Sequence, residues 1–411
     1  MATEKRSTAD DAPPSATRGP QAGRSLSAAE ILANASTLAD RIRGRDLAAR
    51  YDELRNLPAD IVDEIRDAGI MRMNMPEIWG GPEMKAMEQV EVIETLSRAD
   101  ASVGWCAFIW ADSGIYSGYL DDAVAREMYP RLDMATSGWV HPAGTARRVD
   151  GGYRMSGRWM FGSGCGHCDW LVAGCTVLET DGTVARDASG RAPWRILYAR
   201  PEDYQILDTW YTTGLRGTGS NDYRCEDVFV PEERSFSLLD PPRREGPIWA
   251  RPDHFLRKTV GVPLGIARET IDVCRRMFSD GEERSSGRAL RDVPRIRAAV
   301  AEAHLSLGAA RSYVFDSLGR LWDRLERGET PTDEERADAW LSRTHAFQTS
   351  RRVVGLLYDT VGGNAIYTRR SPLDRNLRDI QTACQHILGQ TKMLEEAGGL
   401  LLGDGGEHSL M

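Results

Sequence analysis

Residues 209–234 read TWYTTGLRGTGSNDYRCEDVFVPEER, a glycine-rich loop followed by a run of β-branched and aromatic residues that stops at a proline. The same pattern occurs upstream, in the short apolar runs YRMSGRWMF, DWLVAGCTVL and WRILYARP, which are separated by Gly, Asp and Pro. Runs of this length, bounded by turn residues, are typical of β-strands. We therefore predict a β domain at residues 133–240.

On both sides of this segment the apolar residues recur at helical spacing. Upstream, Ile31, Leu38 and Ile42 begin a pattern that continues to about residue 131. Downstream, long amphipathic stretches cover residues 260–280, 294–325, 333–360 and 377–400. The sequence thus predicts a multidomain α+β protein with an N-terminal helical domain at 26–132 and a C-terminal helical bundle at 241–405.

The first 25 residues differ from the rest of the chain. They carry Pro, Gly, Ser and mixed charges and almost no large apolar side chain. Such a segment cannot bury enough surface to offset the entropy of ordering. We predict a disordered tail at residues 1–25.

Length and charge exclude several classes of function. The chain has 411 residues, a net charge of −9 and seven cysteines. An acidic protein is a poor match for a phosphate backbone, so no nucleic-acid partner is expected. No apolar run approaches the roughly 20 residues that span a bilayer, and the N-terminus lacks the apolar core of a secretory signal. We expect a cytoplasmic protein, away from membranes, with reduced cysteines.

Common catalytic signatures are missing or incomplete. Cys165-Gly-His-Cys168 has dithiol spacing, but its flanks read as strand and no second ligand pair would complete a zinc site. No glycine pattern fits a nicotinamide-binding fold, and neither GxSxG nor HExxH occurs. Metal, hydrolase and directly bound nicotinamide chemistry are therefore not supported.

The β segment is unusually rich in glycine and large aromatic residues. The aromatic residues are Trp139, Trp159, Phe161, Trp170, Trp210 and Tyr211. Composition alone favours turn chemistry and core aromatics, although the same mixture suits a pocket for a planar heterocycle.

Local matches resolve that ambiguity in favour of a flavin. The segment MFGSGCGHCDW resembles the flavin-contacting strand of the acyl-CoA dehydrogenase superfamily, where an aromatic residue and, two positions on, a Ser or Thr face the isoalloxazine. Phe161 and Ser163 take those places. Residues 209–234 resemble the family's Gly-Met/Leu-Arg strand, with Trp210 where related monooxygenases have a flavin-stacking Trp. Trp139 is expected to join this set.

Two further matches extend the resemblance over residues 27–401. Residues 283–303 resemble the helix that carries the flavin-phosphate Arg, which falls on Arg284. Residues 361–386 resemble the Gly-Gly turn and Arg-Asp segment, which gives Gly362, Gly363, Arg378 and Asp379. The resemblance implies an acyl-CoA dehydrogenase-like fold, with a central β-barrel or sandwich, a C-terminal four-helix bundle and a homotetramer.

One departure points to a subfamily. Many acyl-CoA dehydrogenases carry a catalytic Glu nine residues after the Arg of the Arg-Asp pair, where this chain has Ile387. His386 instead resembles the active-site His of the reduced-flavin-dependent monooxygenases of this fold, and we place it on the final long helix. That group includes the oxygenase components of 4-hydroxyphenylacetate hydroxylase, steroid-ring phenol hydroxylases and dibenzothiophene monooxygenase.

This resemblance implies a two-component system. A separate NAD(P)H:flavin reductase would supply reduced FMN or FAD, O2 would be the co-substrate, and a flavin C4a-hydroperoxide would hydroxylate a small aromatic or heteroaromatic substrate. The Ser163 hydroxyl can bond to flavin N5, and His386 can stabilise the peroxide or act as a base. Trp110 and Asp112 occupy the expected substrate region, where relatives commonly have a His, and His141 is the candidate to replace it.

Three alternatives stay open at this stage. The same fold and chemistry serve N-oxygenases and S-oxygenases. An acyl-CoA dehydrogenase with its base on another helix would also fit the fold. A flavin-binding scaffold without turnover is the third, and the joint presence of Ser163, Arg284 and His386 argues against it.

Overall fold

The computed structural model describes residues 25–187, 190–250, 253–283 and 286–403. The predicted tail at 1–25 lies outside these ranges except for Ser25. Within them no helix is both long and apolar enough to cross a membrane. All seven cysteines are free, as the sequence predicted.

The N-terminal part is helical. Its helices are α1 (Ala28–Gly44), α2 (Leu47–Leu54), α3 (Ala59–Asp67), α4 (Ala86–Ala99), α5 (Ala101–Trp110), α6 (Ser113–Ser117) and α7 (Asp122–Met128). The first begins at Ser27, whose hydroxyl accepts from the Glu30 N–H while the Glu30 carboxylate accepts from the Ser27 N–H. This reciprocal cap satisfies two amides that a helix start otherwise leaves unpaired. The fifth helix is apolar on all sides and is buried.

Seven strands form one sheet in the middle of the chain. They are β1 (Thr136–Val149), β2 (Gly152–Gly162), β3 (Trp170–Leu178), β4 (Trp194–Ala199), β5 (Gln205–Leu207), β6 (Asn221–Pro231) and β7 (Ser235–Phe236). Their order across the sheet is β5-β6-β2-β1-β3-β4-β7. The β1–β3 pair is parallel and the other pairs are antiparallel.

Alternate residues of β3 serve two different cores. Leu171 and Ala173 pack into a core enclosed by the strands themselves, together with the buried Trp159. Trp170 and Val172 point the other way and pack against the helices. Successive side chains of a strand face opposite sides, so one strand can support both layers. The central domain is thus one seven-stranded sheet that supports a core of its own on one face and packs against the helices on the other.

Strand β1 has a large bulge where it pairs with β3. Trp139 pairs with Ala173 and Gly144 pairs with Cys175, so residues 140–143 face Gly174 alone. A Cβ on Gly174 would lie 2.2 Å from the His141 carbonyl oxygen, so only glycine fits beneath the bulge. The bulge holds the His141 side chain at one end of the sheet.

The C-terminal part is a helical bundle. Its helices are α8 (Gly261–Asp280), α9 (Pro294–Glu326), α10 (Asp333–Val361), α11 (Leu373–Ala383) and α12 (Lys392–Leu401). The bundle centres on α10, which packs against α8, α9, α11 and α12, while α8 also packs against α4 of the N-terminal part. The predicted order of helices, strands and helices is therefore confirmed, together with the helical C-terminal bundle.

The expectation of one helix across residues 377–400 is wrong. Helix α11 ends at Ala383, and a 3-10 turn at Ile387–Gly389 separates it from α12. The chain turns so tightly that a Cβ on Gly389 would lie 2.7 Å from the Cys384 carbonyl oxygen. The Gln348 side chain of α10 donates to the Gly389 carbonyl and fixes the turn. His386 therefore lies in a connection and not on a long helix.

Candidate active site

Three large aromatic rings line one end of the sheet. The Trp139 and Phe161 ring centroids are 5.6 Å apart, and the Phe161 and Trp210 rings meet edge to face at 6.2 Å. Phe161 has a φ of +58° and is 49 % exposed. A left-handed conformation is costly for a bulky residue and is retained where the surroundings enforce it, often at functional sites. We refer to these three rings as the aromatic wall.

A buried line of hydroxyl groups lies next to the aromatic wall. The Ser163 and Ser220 hydroxyl oxygens are 2.7 Å apart, and the Ser220 and Thr218 oxygens are 2.6 Å apart. Thr218 donates to the Leu215 carbonyl oxygen over 2.8 Å. From the other side, the Trp105 indole N–H donates to the Ser163 hydroxyl oxygen over 3.1 Å. The line therefore connects α5 of the helical part to two loops of the β domain.

His386 stands on the far side of Trp105. The two rings meet edge to face at 5.7 Å. The Leu388 N–H donates to His386 Nδ1 over 3.4 Å, so the imidazole caps the turn that follows it. Burial and the nearby His141 lower the pKa of His386 to about 4. The imidazole is therefore neutral at physiological pH, with its hydrogen on Nε2.

His141 completes this side of the site. Its ring stacks on Trp194 at a centroid distance of 5.9 Å and lies 5.6 Å from Trp139. Burial lowers the pKa of His141 below its ordinary value. The structure thus brings His141 into the same environment as His386, whose pKa it helps to lower.

The loop that carries Trp210 is held by the Arg-Asp pair of α11. Asp379 accepts from the Leu215 N–H over 2.6 Å, and Arg378 donates to the Thr213 carbonyl oxygen over 2.6 Å. Between them a Cβ on Gly214 would lie 2.1 Å from the Arg378 carbonyl oxygen. Burial, and secondarily the charge of Asp100, raise the pKa of Asp379 to about 7. This pair therefore anchors the loop.

Trp210 itself is fixed at three points. Its indole N–H donates to the Leu215 carbonyl over 3.0 Å, its backbone N–H donates to Asn221 Oδ1 over 3.0 Å, and its carbonyl accepts from Arg55. The ring thus has a defined orientation toward Phe161. A preorganised face of this kind costs little entropy when a planar ligand binds.

Trp110 and Asp112 do not belong to this site. Trp110 is fully buried and its indole N–H donates to the Gly164 carbonyl oxygen over 3.3 Å. Asp112 forms a buried ion pair with Lys258. Neither side chain offers a surface to a substrate, so we do not assign them that role. On a helix, position 110 is turned about 140° from position 105, which explains why Trp105 faces the site and Trp110 does not.

Two further sequence-based candidates lie elsewhere. Gly362 and Gly363 are exposed at the end of α10. Arg284 lies outside the described residues. A separate cavity of about 220 Å³ between α1, α4, α8 and α11 is lined by charged groups that include Asp100 and Arg375. That cavity contains no residue of the site described above.

Sequence reasoning missed Trp105, Ser220 and Thr218. Trp105 belongs to an apolar helix and looks like a core residue. The alternation in Gly-Thr-Gly-Ser, residues 217–220, is the available signal, since it sets two hydroxyl groups two positions apart among glycines. Their convergence on Ser163 depends on tertiary structure.

The described residues fit a flavin ring. The exposed face of Phe161 and the fixed Trp210 offer flat apolar contacts, and the Ser163 hydroxyl offers one polar contact beside them. A planar heterocycle with polar atoms along one edge needs this combination.

Comparison with known proteins agrees with this fit. The model for the acyl-CoA dehydrogenase N-terminal domain matches residues 29–132, and that for the acyl-CoA dehydrogenase C-terminal domain matches residues 259–391. Indole-3-acetate monooxygenase from Pseudomonas putida is 30 % identical over 369 residues, which cover 89 % of this chain and 92 % of that protein.

Two further relatives have solved structures. The oxygenase subunit HsaA of a flavin-dependent monooxygenase from Mycobacterium tuberculosis is 27 % identical over 376 residues, or 87 % of this chain and 91 % of that protein. Its crystal structure gives a TM-score of 0.83 and covers 94 % of this chain and 100 % of that one. XiaF from Streptomyces sp., in complex with FADH2, gives a TM-score of 0.82 at 23 % identity, covering 92 % and 96 %. The chain therefore belongs to the flavin-dependent monooxygenases that have the acyl-CoA dehydrogenase fold.

Proposed function

We propose that this chain is the oxygenase component of a two-component system. It takes reduced FMN or FAD from a separate NAD(P)H:flavin reductase and uses O2 to hydroxylate a small aromatic or heteroaromatic substrate. The observation that carries this proposal is the convergence of Ser163, Trp105 and His386 beside the aromatic wall. The names of the relatives, which include an oxygenase subunit and an indole-3-acetate monooxygenase, support it.

The aromatic wall is the proposed binding surface for the isoalloxazine. Phe161 and Trp210 would contact its plane and Trp139 its edge, while the Ser163 hydroxyl would meet N5. When bound, the reduced flavin supplies the two electrons that activate O2. The residues of the chain then have to exclude water and hold the proton on N5. Entry of water or loss of that proton would release H2O2. Trp105 and the buried Phe108, whose ring centroids are 5.0 Å apart, would form an apolar side of the flavin site that excludes water.

His386 is proposed to act as a hydrogen-bond donor. Its Nδ1 accepts from the Leu388 N–H, so the hydrogen of the neutral imidazole resides on Nε2. An Nε2–H group can donate to an oxygen atom of the activated O2 or of a phenolate substrate. Acting as a base would require the opposite tautomer and the loss of the cap. The structure therefore favours the donor over the base among the two roles considered from the sequence.

The proposed substrate lies between His141, His386 and Trp105. Two imidazoles and an indole suit a flat aromatic ring that carries a hydroxyl or a ring N–H. An indole or another heteroaromatic fits this surface as well as a phenol. The indole-3-acetate monooxygenase among the relatives points in the same direction.

We also propose a homotetramer, with Gly362, Gly363 and Arg284 completing the flavin site. Near the Gly-Gly turn, Ile366 and Tyr367 are 59 % and 46 % exposed. Large apolar side chains exposed beside an exposed glycine turn are typical of a surface that another chain covers. Sedimentation at micromolar concentration tests this assembly, and an active monomer would contradict it.

The test of the proposed function is isotopic. The purified chain is mixed with a flavin reductase, NADH, flavin and ¹⁸O2, and a panel of phenols and indoles is screened by mass spectrometry. We expect one ¹⁸O atom in a product that forms only with the reductase present. Reduction of bound flavin by an acyl thioester without O2 would instead identify a dehydrogenase. Rapid NADH oxidation by the chain alone would contradict the two-component assignment.

A further inference from the structure

The hydroxyl line, which consists of Ser163, Ser220 and Thr218 beside the aromatic wall, has hydrogen bonds that all run in one direction. It contains three close contacts between oxygen atoms, Ser163 to Ser220, Ser220 to Thr218 and Thr218 to the Leu215 carbonyl, at 2.7, 2.6 and 2.8 Å. The three side chains are at most 5 % exposed, so water does not compete freely for them. Each contact needs one hydrogen to be attractive.

Counting hydrogens determines which atom donates. Three hydroxyl groups supply three hydrogens for three contacts, and the carbonyl oxygen supplies none. Thr218 must donate to Leu215, Ser220 to Thr218, and Ser163 to Ser220. Any other arrangement leaves two buried oxygen atoms within 2.8 Å of each other without a hydrogen between them, which is costly.

This direction limits the hydrogen bonds that Ser163 can make to a ligand. Its only hydrogen is committed to Ser220, and one of its lone pairs already accepts from the Trp105 indole N–H. One lone pair is left. Toward a ligand, this hydroxyl can therefore accept a hydrogen bond but cannot donate one.

We propose that Ser220 and Thr218 are positioning residues that keep Ser163 an acceptor, so that the site selects reduced flavin over oxidised flavin. This inference rests on the proposed function, which places Ser163 at flavin N5. Reduced flavin carries a hydrogen on N5 and donates it, whereas oxidised flavin has only a lone pair there. An acceptor facing that lone pair gains no hydrogen bond and loses the hydration of both groups.

The experiment measures binding and not turnover. Dissociation constants for FMN and FAD are determined aerobically, and those for the photoreduced forms anaerobically, with wild type, Ser220→Ala and Thr218→Val. In Ser220→Ala the Ser163 hydrogen has no protein acceptor left. In Thr218→Val Ser220 is free to donate to Ser163. Either way Ser163 becomes able to donate to oxidised N5, so the preference for reduced flavin should fall about 3- to 10-fold.

Two controls separate this effect from general damage. Thr218→Ser restores the hydroxyl and should restore the wild-type preference. Ser137→Ala removes a 2.6 Å bond to the Ser163 carbonyl oxygen but leaves the hydroxyl line intact, so it should not change the ratio of the two constants. Circular dichroism of each variant verifies that it is folded.

The outcomes are distinguishable. If wild type binds flavin and the ratio stays the same in both Ser220→Ala and Thr218→Val, this inference is overturned and the proposed function stands. If wild type binds neither redox form of FMN or FAD, the proposed function itself fails. A ratio that falls in both variants and recovers in Thr218→Ser supports the inference.

Discussion

The indole of Trp105 meets the imidazole of His386 edge to face, with the ring centroids 5.7 Å apart. The same indole donates its N–H to Ser163. One side chain thus sets the distance between the residue proposed to face flavin N5 and the residue proposed to face oxygen. Its two functions can be separated because one uses the ring and the other uses the N–H group.

Trp105→Phe should uncouple electron use from hydroxylation. Phenylalanine retains an aromatic ring against His386 but removes the donor to Ser163. We expect H2O2 release per reduced flavin to rise about 2- to 10-fold, in line with the loss of one hydrogen bond. Trp249→Phe is the matched control, because it also removes a buried indole donor, here to the Gly114 carbonyl oxygen of α6. Equal uncoupling in both variants would show that Trp105 has no specific role.

Ser163→Ala should affect coupling more than flavin binding. The hydroxyl contributes one hydrogen bond, about 0.5 to 1.5 kcal/mol, among many contacts with a large ligand. We expect a modest loss of affinity and a large fraction of reduced flavin lost as H2O2, measured with catalase and by product yield in single turnover. Lower product without additional H2O2 would assign Ser163 another role.

His386→Asn should lose the reaction while keeping the fold. Asparagine is a good cap and can still accept from the Leu388 N–H, so the turn should persist. We expect hydroxylation to slow by about 10² to 10⁴ with reduced flavin still bound. His386→Ala removes the cap as well and should lower the melting temperature further. Rates close to wild type in the asparagine variant would remove His386 from the mechanism.

The depressed pKa of His386 predicts a pH effect on stability. Between its ordinary value of 6.5 and about 4 the unfolded state binds a proton that the folded state does not. The free energy of unfolding therefore falls as pH drops through this window. His386→Asn should lose less stability from pH 6.5 to 4 than wild type, as measured by urea unfolding. The raised pKa values of Asp100 and Asp379 act in the opposite direction but are common to both proteins. If the free energy of unfolding varies with pH in the same way in both proteins, burial does not lower the pKa of His386.

Gly214→Ala should disturb the loop that carries Trp210. The new Cβ would lie 2.1 Å from the Arg378 carbonyl oxygen, so the loop and α11 must separate. We expect a stability loss of about 1 to 3 kcal/mol and a larger loss of flavin affinity. Gly319→Ala in α9 is the control, since its Cβ meets no atom within 4 Å and alanine favours a helix. If both variants bind flavin equally well, the loop anchor does not shape the site.

Residues close together in the sequence were the easiest to predict. Phe161 and Ser163 lie two positions apart at the end of β2, so a single local match proposes both. The spacing to the Arg-Asp pair predicts a role for His386, but the long helix predicted around it is wrong. The amphipathic pattern runs through the break at Gly389 because α11 and α12 both bury their apolar faces against α10. Periodicity alone does not register such a turn.

Residues joined only by the tertiary fold were not predictable in this way. Trp105 and Trp110 both stand on one apolar helix, and nothing local indicates which face of that helix meets the β domain. The hydroxyl line needs residues of two separate loops to meet. His141 was named as a candidate, yet the bulge that positions it depends on register with β3.

That bulge also bears on how such an enzyme acquires a new substrate. Strand pairing is intact on either side of it, at Trp139 with Ala173 and at Gly144 with Cys175. Residues 140–143 are consequently an insert in a rigid frame, and they carry His141 without sharing in the ladder between β1 and β3. Exchange of these four residues would change the proposed substrate surface at His141, while the paired residues on either side keep their register. Because the strand pairs on either side stay in place, this segment is the natural place to begin changing the proposed substrate surface.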